Sequence, residues 1–231
     1  YNFANHLHEI TPRMAASPAA GKLYLETESN SAEIRYTVDK SSPKPNSEVY
    51  TKPIQVDKTM TIKAAVFDEM EHLKSSFEEE VLFHKGFGHK AMLNVNPHQS
   101  YDAGGVQALT NGISGSEKRY GDSEWLGFWG DDLNITIDLG ELTMVNSIST
   151  RFFNANGQWI YAPETLKLKT DREEIPLTIR KTKERLVKIT IPVSYETRYI
   201  EIKIPSYGII PQGRQGEGNP AWTFIDEIIV N

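Results

Sequence analysis

Apolar and polar residues alternate along much of this chain with a period of two, and that alternation constrains the fold more than any other feature. Ile135, Ile137 and Leu139 are separated by Thr136 and Asp138. Val187, Ile189 and Ile191 are separated by Lys188 and Thr190, and Ile200, Ile202 and Ile204 by Glu201 and Lys203. In a strand, successive side chains point to opposite faces, so each run offers one face to a core and one to water. This is the signature of half-buried antiparallel strands. Leu23-Tyr24-Leu25, Ile34 to Val38 and Ile62 to Phe67 behave alike. Turn clusters at 39–46 and 213–220 punctuate the runs, and no long amphipathic helix is legible. Many short strands broken by turns predict an all-β chain of sandwiches rather than alternating βα units.

The 231 residues suffice for one large domain or two modest ones. A change of character near 83–89 favours two. There Phe77-Glu78-Glu79-Glu80-Val81-Leu82-Phe83 gives way to Lys85-Gly86-Phe87-Gly88-His89-Lys90. The expectation is a tail of an upstream domain over 1–11, a small seven-strand β-sandwich over 12–86 and a larger jelly-roll β-sandwich over 87–231. Charge does not separate the parts: residues 1–86 hold 10 basic and 13 acidic side chains, and 87–231 hold 15 and 18, so each is −3.

The total of −6 speaks against a nucleic-acid partner held by its phosphates. No apolar stretch of about 18 residues is available to span a membrane. The absence of cysteine excludes disulfide scaffolds, thiolate zinc sites and cysteine nucleophiles. Catalytic signatures fail as well. Gly213, Gly216 and Gly218 have dinucleotide-loop glycines in reversed spacing, and Gly112-Ile113-Ser114-Gly115 is no nucleophile elbow. His6, His8, His84 and His89 lack helical zinc spacing and read as surface residues. Asp226 and Glu227 are neighbours that face opposite ways on a strand, so they cannot flank one glycosidic bond; a solvated carboxylate or a cation ligand is expected. No catalytic residue is assigned.

Ile34-Arg35-Tyr36-Thr37-Val38-Asp39, Pro43, Ser47, Tyr50-Thr51-Lys52-Pro53-Ile54 and Thr61 to Phe67 together resemble the Fn3/Ig-like domain that follows the catalytic barrel of bacterial chitobiases and β-hexosaminidases. Lys40 stands where that family has a turn glycine. From His89 onward, Ala108-Leu109-Thr110-Asn111-Gly112, Trp125-Leu126-Gly127-Phe128, Ile135 to Gly140 and Phe224 to Val230 resemble a factor V/VIII C-type, discoidin-like domain. The first resemblance implies a structural module, the second a carbohydrate-binding module for galactose or N-acetylhexosamine ends. Together they imply a non-catalytic, monomeric region of a periplasmic, extracellular or cell-surface glycoside hydrolase. Its partners are then the terminal sugars of glycans and an upstream catalytic domain in the same chain.

The discoidin-like resemblance also implies a calcium ion held by backbone carbonyls and carboxylates. Its frame falls on Ala108, Asn111, Ser114, Ser116 and Glu227. Asn111 replaces the expected aspartate, so one charge is missing and calcium should bind weakly or not at all. The alternative is an Asn-Gly turn closed by its own amide.

A sandwich of this order brings the loops 127–133, 154–160 and 207–221 to one end. They carry Trp129, Trp159 and Trp222, three of the four tryptophans. They also carry Asp131, Asn154, Asn156, Arg214 and Asn219. Exposed indoles can stack on the C–H face of a sugar, while amides and a guanidinium meet its hydroxyls. Trp125 reads as core, and Arg151 as a residue on a solvated strand face. Two further readings stay open: a purely structural or protein-docking pair without a sugar site, and anionic-lipid binding, against which the acidic rim argues.

Overall fold

The computed structural model describes residues 7–29 and 31–231. Residues 1–6 of the expected tail, His6 among them, lie outside the described residues. The chain divides into two compact units, one ending at Phe83 and one beginning at His84. Among the described residues, no helix is long and apolar enough to cross a membrane.

The first unit is built from β1 (Thr11–Ser17), β2 (Ala20–Glu26), β3 (Ile34–Thr37), β4 (Glu48–Val49), β5 (Ile54–Val56), β6 (Met60–Phe67) and β7 (Leu73–Val81). They form a three-stranded sheet β1-β2-β5 and a four-stranded sheet β4-β3-β6-β7, all antiparallel. Thr11 already opens β1, so the ordered sheet starts inside the segment expected as a tail. Alternation sets the packing: Leu23, Leu25, Ile54 and Val56 of one sheet are buried, as are Ile34, Ile62, Ala64, Val66 and Val81 of the other. Lys40 adopts a left-handed φ of 69° where the resembled family has glycine. The neighbouring Asp39 carboxylate accepts from the amide and hydroxyl of Ser41, at 3.0 and 2.5 Å, and so steadies this turn.

The second unit contains β8 (Ala91–Leu93), a 3-10 turn at Val106–Leu109, β9 (Leu126–Trp129), β10 (Leu133–Phe153), a 3-10 turn at Asn156–Gln158, β11 (Thr165–Thr170), β12 (Glu174–Thr178), β13 (Leu186–Ile204), β14 (Trp222–Ile225) and β15 (Ile229–Val230). The ladder runs β12-β11-β13-β10-β14-β9, with β8 and β15 also pairing β10. The long strands β10 and β13 are not straight. Their register shifts between Asp138 and Thr143 and again between Val145 and Ser147, with Gly140 at φ 81° in the first break. Before the break β10 is flanked by β8, and after it by β14 and β15. Both halves feed one core. Ile135, Ile137 and Leu139 from the first, and Val145, Ile148 and Phe152 from the second, belong to one buried cluster with Ile200, Ile202 and Ile204. Trp125 is fully buried beside Phe153, Ile160 and Phe224. The fold is the β-sandwich that the alternation predicts.

Candidate functional site

Three loops of the second unit meet at one rim because backbone hydrogen bonds sew them together. Gly130 N–H donates to Ala221 at 3.1 Å, Trp222 N–H to Trp159 at 2.8 Å, and Tyr161 N–H to Trp222 at 3.0 Å. Gly130 has φ 78°, and a Cβ there would stand 2.8 Å from Pro220, so a side chain would part the loops. Trp129 and Trp222 are cross-strand partners. Their rings stack with centroids 5.9 Å apart and planes 15° apart. The Trp129 indole N–H donates to the Pro220 carbonyl at 2.9 Å, which fixes the ring while it remains 48% exposed. Trp222 is half-buried against His98 and Tyr101, its ring centroid 5.1 and 5.4 Å from theirs.

The other residues expected at this rim separate into different roles. Trp159 is half-buried in a cluster with Tyr161, Ile210 and Ala221. Gly216 lies so close that a Cβ on it would stand 2.5 Å from the Trp159 ring nitrogen. That ring therefore packs under the 207–221 loop, instead of standing clear as a plate. The Asn154 amide donates to the Thr182 and Glu184 carbonyls at 3.3 and 3.0 Å, and its oxygen accepts from the Asn156 amide at 3.0 Å. The Asn156 amide also reaches the Ile160 carbonyl at 3.1 Å. Asn219 donates to Gly216 and Glu217 carbonyls within its own turn. Each of these short side chains bonds a backbone carbonyl and so ties its loop in place. Asp131 and Arg214 are exposed.

Beside the rim lies an open groove of about 430 Å³. Asn154, Asn156 and Arg214 line it, together with Tyr161, Tyr207 and the Arg180–Lys183 segment. The Tyr161 and Tyr207 rings stand 4.4 Å apart, tilted by 31°. Burial pushes the Tyr161 hydroxyl pKa up, Tyr207 adds to the rise, and nearby Arg214 opposes it.

The calcium frame is a separate, buried place. The Ile228 N–H donates to the Leu109 carbonyl at 2.8 Å, which brings Glu227 against the 108–112 segment. Asp226 and Glu227 are 0% and 1% exposed, so neither is the solvated carboxylate the sequence suggests. They do face different partners. Asp226 pairs with Arg151, whose Nε lies 3.0 Å away, and accepts from the Gly115 amide at 2.9 Å. Arg151 is thus half-buried as the partner of Asp226 and not on a fully solvated face; its guanidinium also donates to the Gly115 carbonyl at 2.7 Å. His84 likewise departs from its surface reading. Its Nδ1 accepts from the amides of Gly86 and Val230 at 3.1 and 3.2 Å, so the proton sits on Nε2, which donates to Glu227 Oε1 at 2.7 Å. Burial lowers the His84 pKa to about 4, leaving it neutral.

Burial, with Asp226 and Glu124 close by, raises the Glu227 pKa well above the usual carboxylate range. Burial outweighs Arg151 at Asp226 and raises it to about 6. Glu227 Oε2 is buried without a hydrogen-bond partner. A buried carboxylate without a cationic partner, beside one already taken by Arg151, and an orphaned oxygen suit a cation. Around them the frame is less open. The Asn111 oxygen accepts from the Ile113 amide at 2.8 Å and its nitrogen donates to Glu124 at 2.8 Å, so its side chain closes a turn. The Ser116 carbonyl accepts from the Trp125 ring nitrogen at 3.1 Å. Ala108 is buried in its 3-10 turn and Ser114 is half-buried. Among the described residues no three His, Cys, Asp or Glu side chains converge to hold a metal.

His98, Tyr101, Tyr161, Tyr207 and the Arg180–Lys183 segment went unread as rim residues. His98, Tyr101 and the Arg180–Lys183 segment are remote in sequence from the three loops, whereas Tyr161 and Tyr207 border two of them and carry no pattern that marks them as lining residues. The inward parity of Trp222 and Phe224 was the one available signal.

Residues 15–77 match the family described as the chitobiase/beta-hexosaminidase C-terminal domain. No curated protein sequence matches the chain. Among solved structures, the lectin domain of lectinolysin complexed with Lewis B antigen is 14% identical with a TM-score of 0.41, over 64% of this chain and 95% of that one. Chitosan-binding module 1 from a chitosanase/glucanase of Paenibacillus sp. IK-5 is 13% identical with a TM-score of 0.40, over 64% and 98%. A Streptococcus pneumoniae fucose binding module is 12% identical with a TM-score of 0.41, over 64% and 93%.

Proposed function

We propose that the second unit binds a saccharide at the rim where Trp129 stands, and that the first unit is a spacer. In this reading the chain is the non-catalytic, carbohydrate-binding end of a glycoside hydrolase that works outside the cytoplasm on N-acetylhexosamine- or galactose-containing glycans. The observation that carries the proposal is the Trp129 indole: half exposed, backed by Trp222 and fixed by its bond to Pro220. A flat apolar ring that has already lost its rotamer freedom loses little more on stacking against a sugar. Weak binding of this kind raises the local concentration of substrate for an attached catalytic domain. The family match over residues 15–77 supports the spacer and the glycosidase setting.

Calcium is part of the proposal. Glu227 would hold it through Oε2, with backbone carbonyls of the Ala108, Asn111 and Ser114 segment; the ion would supply positive charge to a carboxylate-rich interior. The Asn111 side chain is already occupied by its turn, so the site has fewer charged ligands than usual and its affinity is low.

Titration of the whole chain with galactose, N-acetylgalactosamine and N-acetylglucosamine, with and without calcium, tests the sugar reading. At least one is expected to bind with a dissociation constant of about a millimolar, and Trp129→Ala to weaken it about tenfold. Absence of binding to every sugar would leave the structural, protein-docking reading in its place.

A further inference from the structure

The groove beside the rim carries a charge opposite to that of the chain. Its lining includes Arg180, Lys181, Lys183 and Arg214 against a single acid, Glu164, in a protein of net charge −6. Glu164 is paired with Lys181 at 2.7 Å. Arg180, Lys183 and Arg214 have no carboxylate partner among the described residues. The basic segment is held in place: Asn154, on the rim, bonds the Thr182 and Glu184 carbonyls that bracket Lys183. A second feature points to a ligand. Tyr161 is 6% exposed and lines the groove, yet its hydroxyl has no hydrogen-bond partner. An unpaired buried hydroxyl is costly, and Arg214 and Tyr207 stand beside it.

We propose that this groove takes an acidic sugar, a saccharide unit bearing a carboxylate or a sulfate, held by Arg214 and the Arg180–Lys183 segment with the Tyr161 hydroxyl as a further donor. The inference rests on the carbohydrate-binding reading above and narrows it. The chemistry is complementary: an anionic oxygen pair can accept a bidentate guanidinium and a phenolic O–H together. A volume of about 430 Å³ is of the size of small-ligand sites.

The experiment is titration of the whole chain with a glucuronate-containing disaccharide and a sulfated N-acetylglucosamine, beside their neutral counterparts and a three-glutamate peptide. The acidic sugars are expected to bind about tenfold tighter than the neutral ones at about 50 mM salt, and the advantage to shrink at about 300 mM. The exposed pair Lys183→Ala and Arg214→Ala should erase that advantage while circular dichroism is unchanged. Tyr161→Phe should weaken the acidic sugars about tenfold without lowering Tm, because the folded protein makes no use of that hydroxyl. Equal binding of neutral and acidic sugars would overturn the acidic assignment and leave the sugar-binding reading intact. Equally tight binding of the glutamate peptide would also overturn it, since the groove would then be a general anion patch. No binding of any sugar would overturn both.

Discussion

The two units bury different chemistry. Up to Phe83, every buried side chain among the described residues is apolar, and the ion pairs Arg13–Glu26, Lys63–Glu78 and Lys74–Asp68 lie on the surface. From His84 onward the interior also holds Glu124, Asp226, Glu227, His84 and several threonines. The interior of the first unit is apolar, with its charges kept at the surface. The second retains charges that water would solvate better, and such groups persist where partners or a ligand offset them. Two sandwiches with the same alternation can thus be unequal in what they can do, and the inequality lies inside.

Removing one buried charge should separate the two units most clearly. Arg151→Ala leaves Asp226 buried and unpaired and is expected to cost about 3 to 5 kcal/mol. Lys63→Ala, which opens a surface pair in the first unit, should cost less than about 1 kcal/mol. Urea unfolding of the two variants measures both. Equal costs would show that the buried pair is no more demanding than a surface one.

Calcium is expected to come next. At about one hundred times its dissociation constant it should add about 3 kcal/mol to the second unit. All four tryptophans lie beyond His84, so their fluorescence during melting follows this unit. Glu227→Gln should abolish the response. A wild-type melt unmoved by millimolar calcium would remove the ion from the proposed function.

The smallest effect is the pH dependence in the presence of a chelator. Asp226, raised to about 6, and Glu227, raised by burial, keep protons in the folded state that the unfolded chain has released. Their contribution therefore falls as pH rises from about 4 through the raised values. His84, lowered to about 4, acts oppositely, adding stability as pH rises from about 4 to 6.5. Two carboxyls against one imidazole predict a net loss toward neutral pH. Asp68 in the first unit is lowered to about 2, chiefly by the His72 amide, so its contribution fades only as pH falls below about 4. Melts at pH 4.5 and 7 that move the tryptophan signal upward with pH would contradict this account.

Much of the fold was legible because the interior of a strand is written in alternation. Ile135, Ile137, Ile200, Ile202 and Ile204 are buried where parity puts them, and Trp125 is core. The convergence of the Trp129, Trp159 and Trp222 loops followed from antiparallel return. The roles within it did not. Asn154 and Asn219 have the right chemistry for a sugar, yet each lies within reach of a backbone carbonyl, a distance that no residue spacing expresses. Arg151 and His84 read as surface because charge normally seeks water; His84 is buried and Arg151 half-buried because a carboxylate from the last few residues meets each.

Side-chain parity and turn residues act over a few neighbours, so an all-β chain, two sandwich-like parts and the strand faces of their cores can be read along the chain. Tertiary structure alone decided which indole stays open, which amides are tied to loops, where unpaired cations gather and how the acids at 226 and 227 are buried. Those outcomes depend on contacts between segments that can lie more than a hundred residues apart, such as His84 with Glu227, whose geometry is set only when the sheets close.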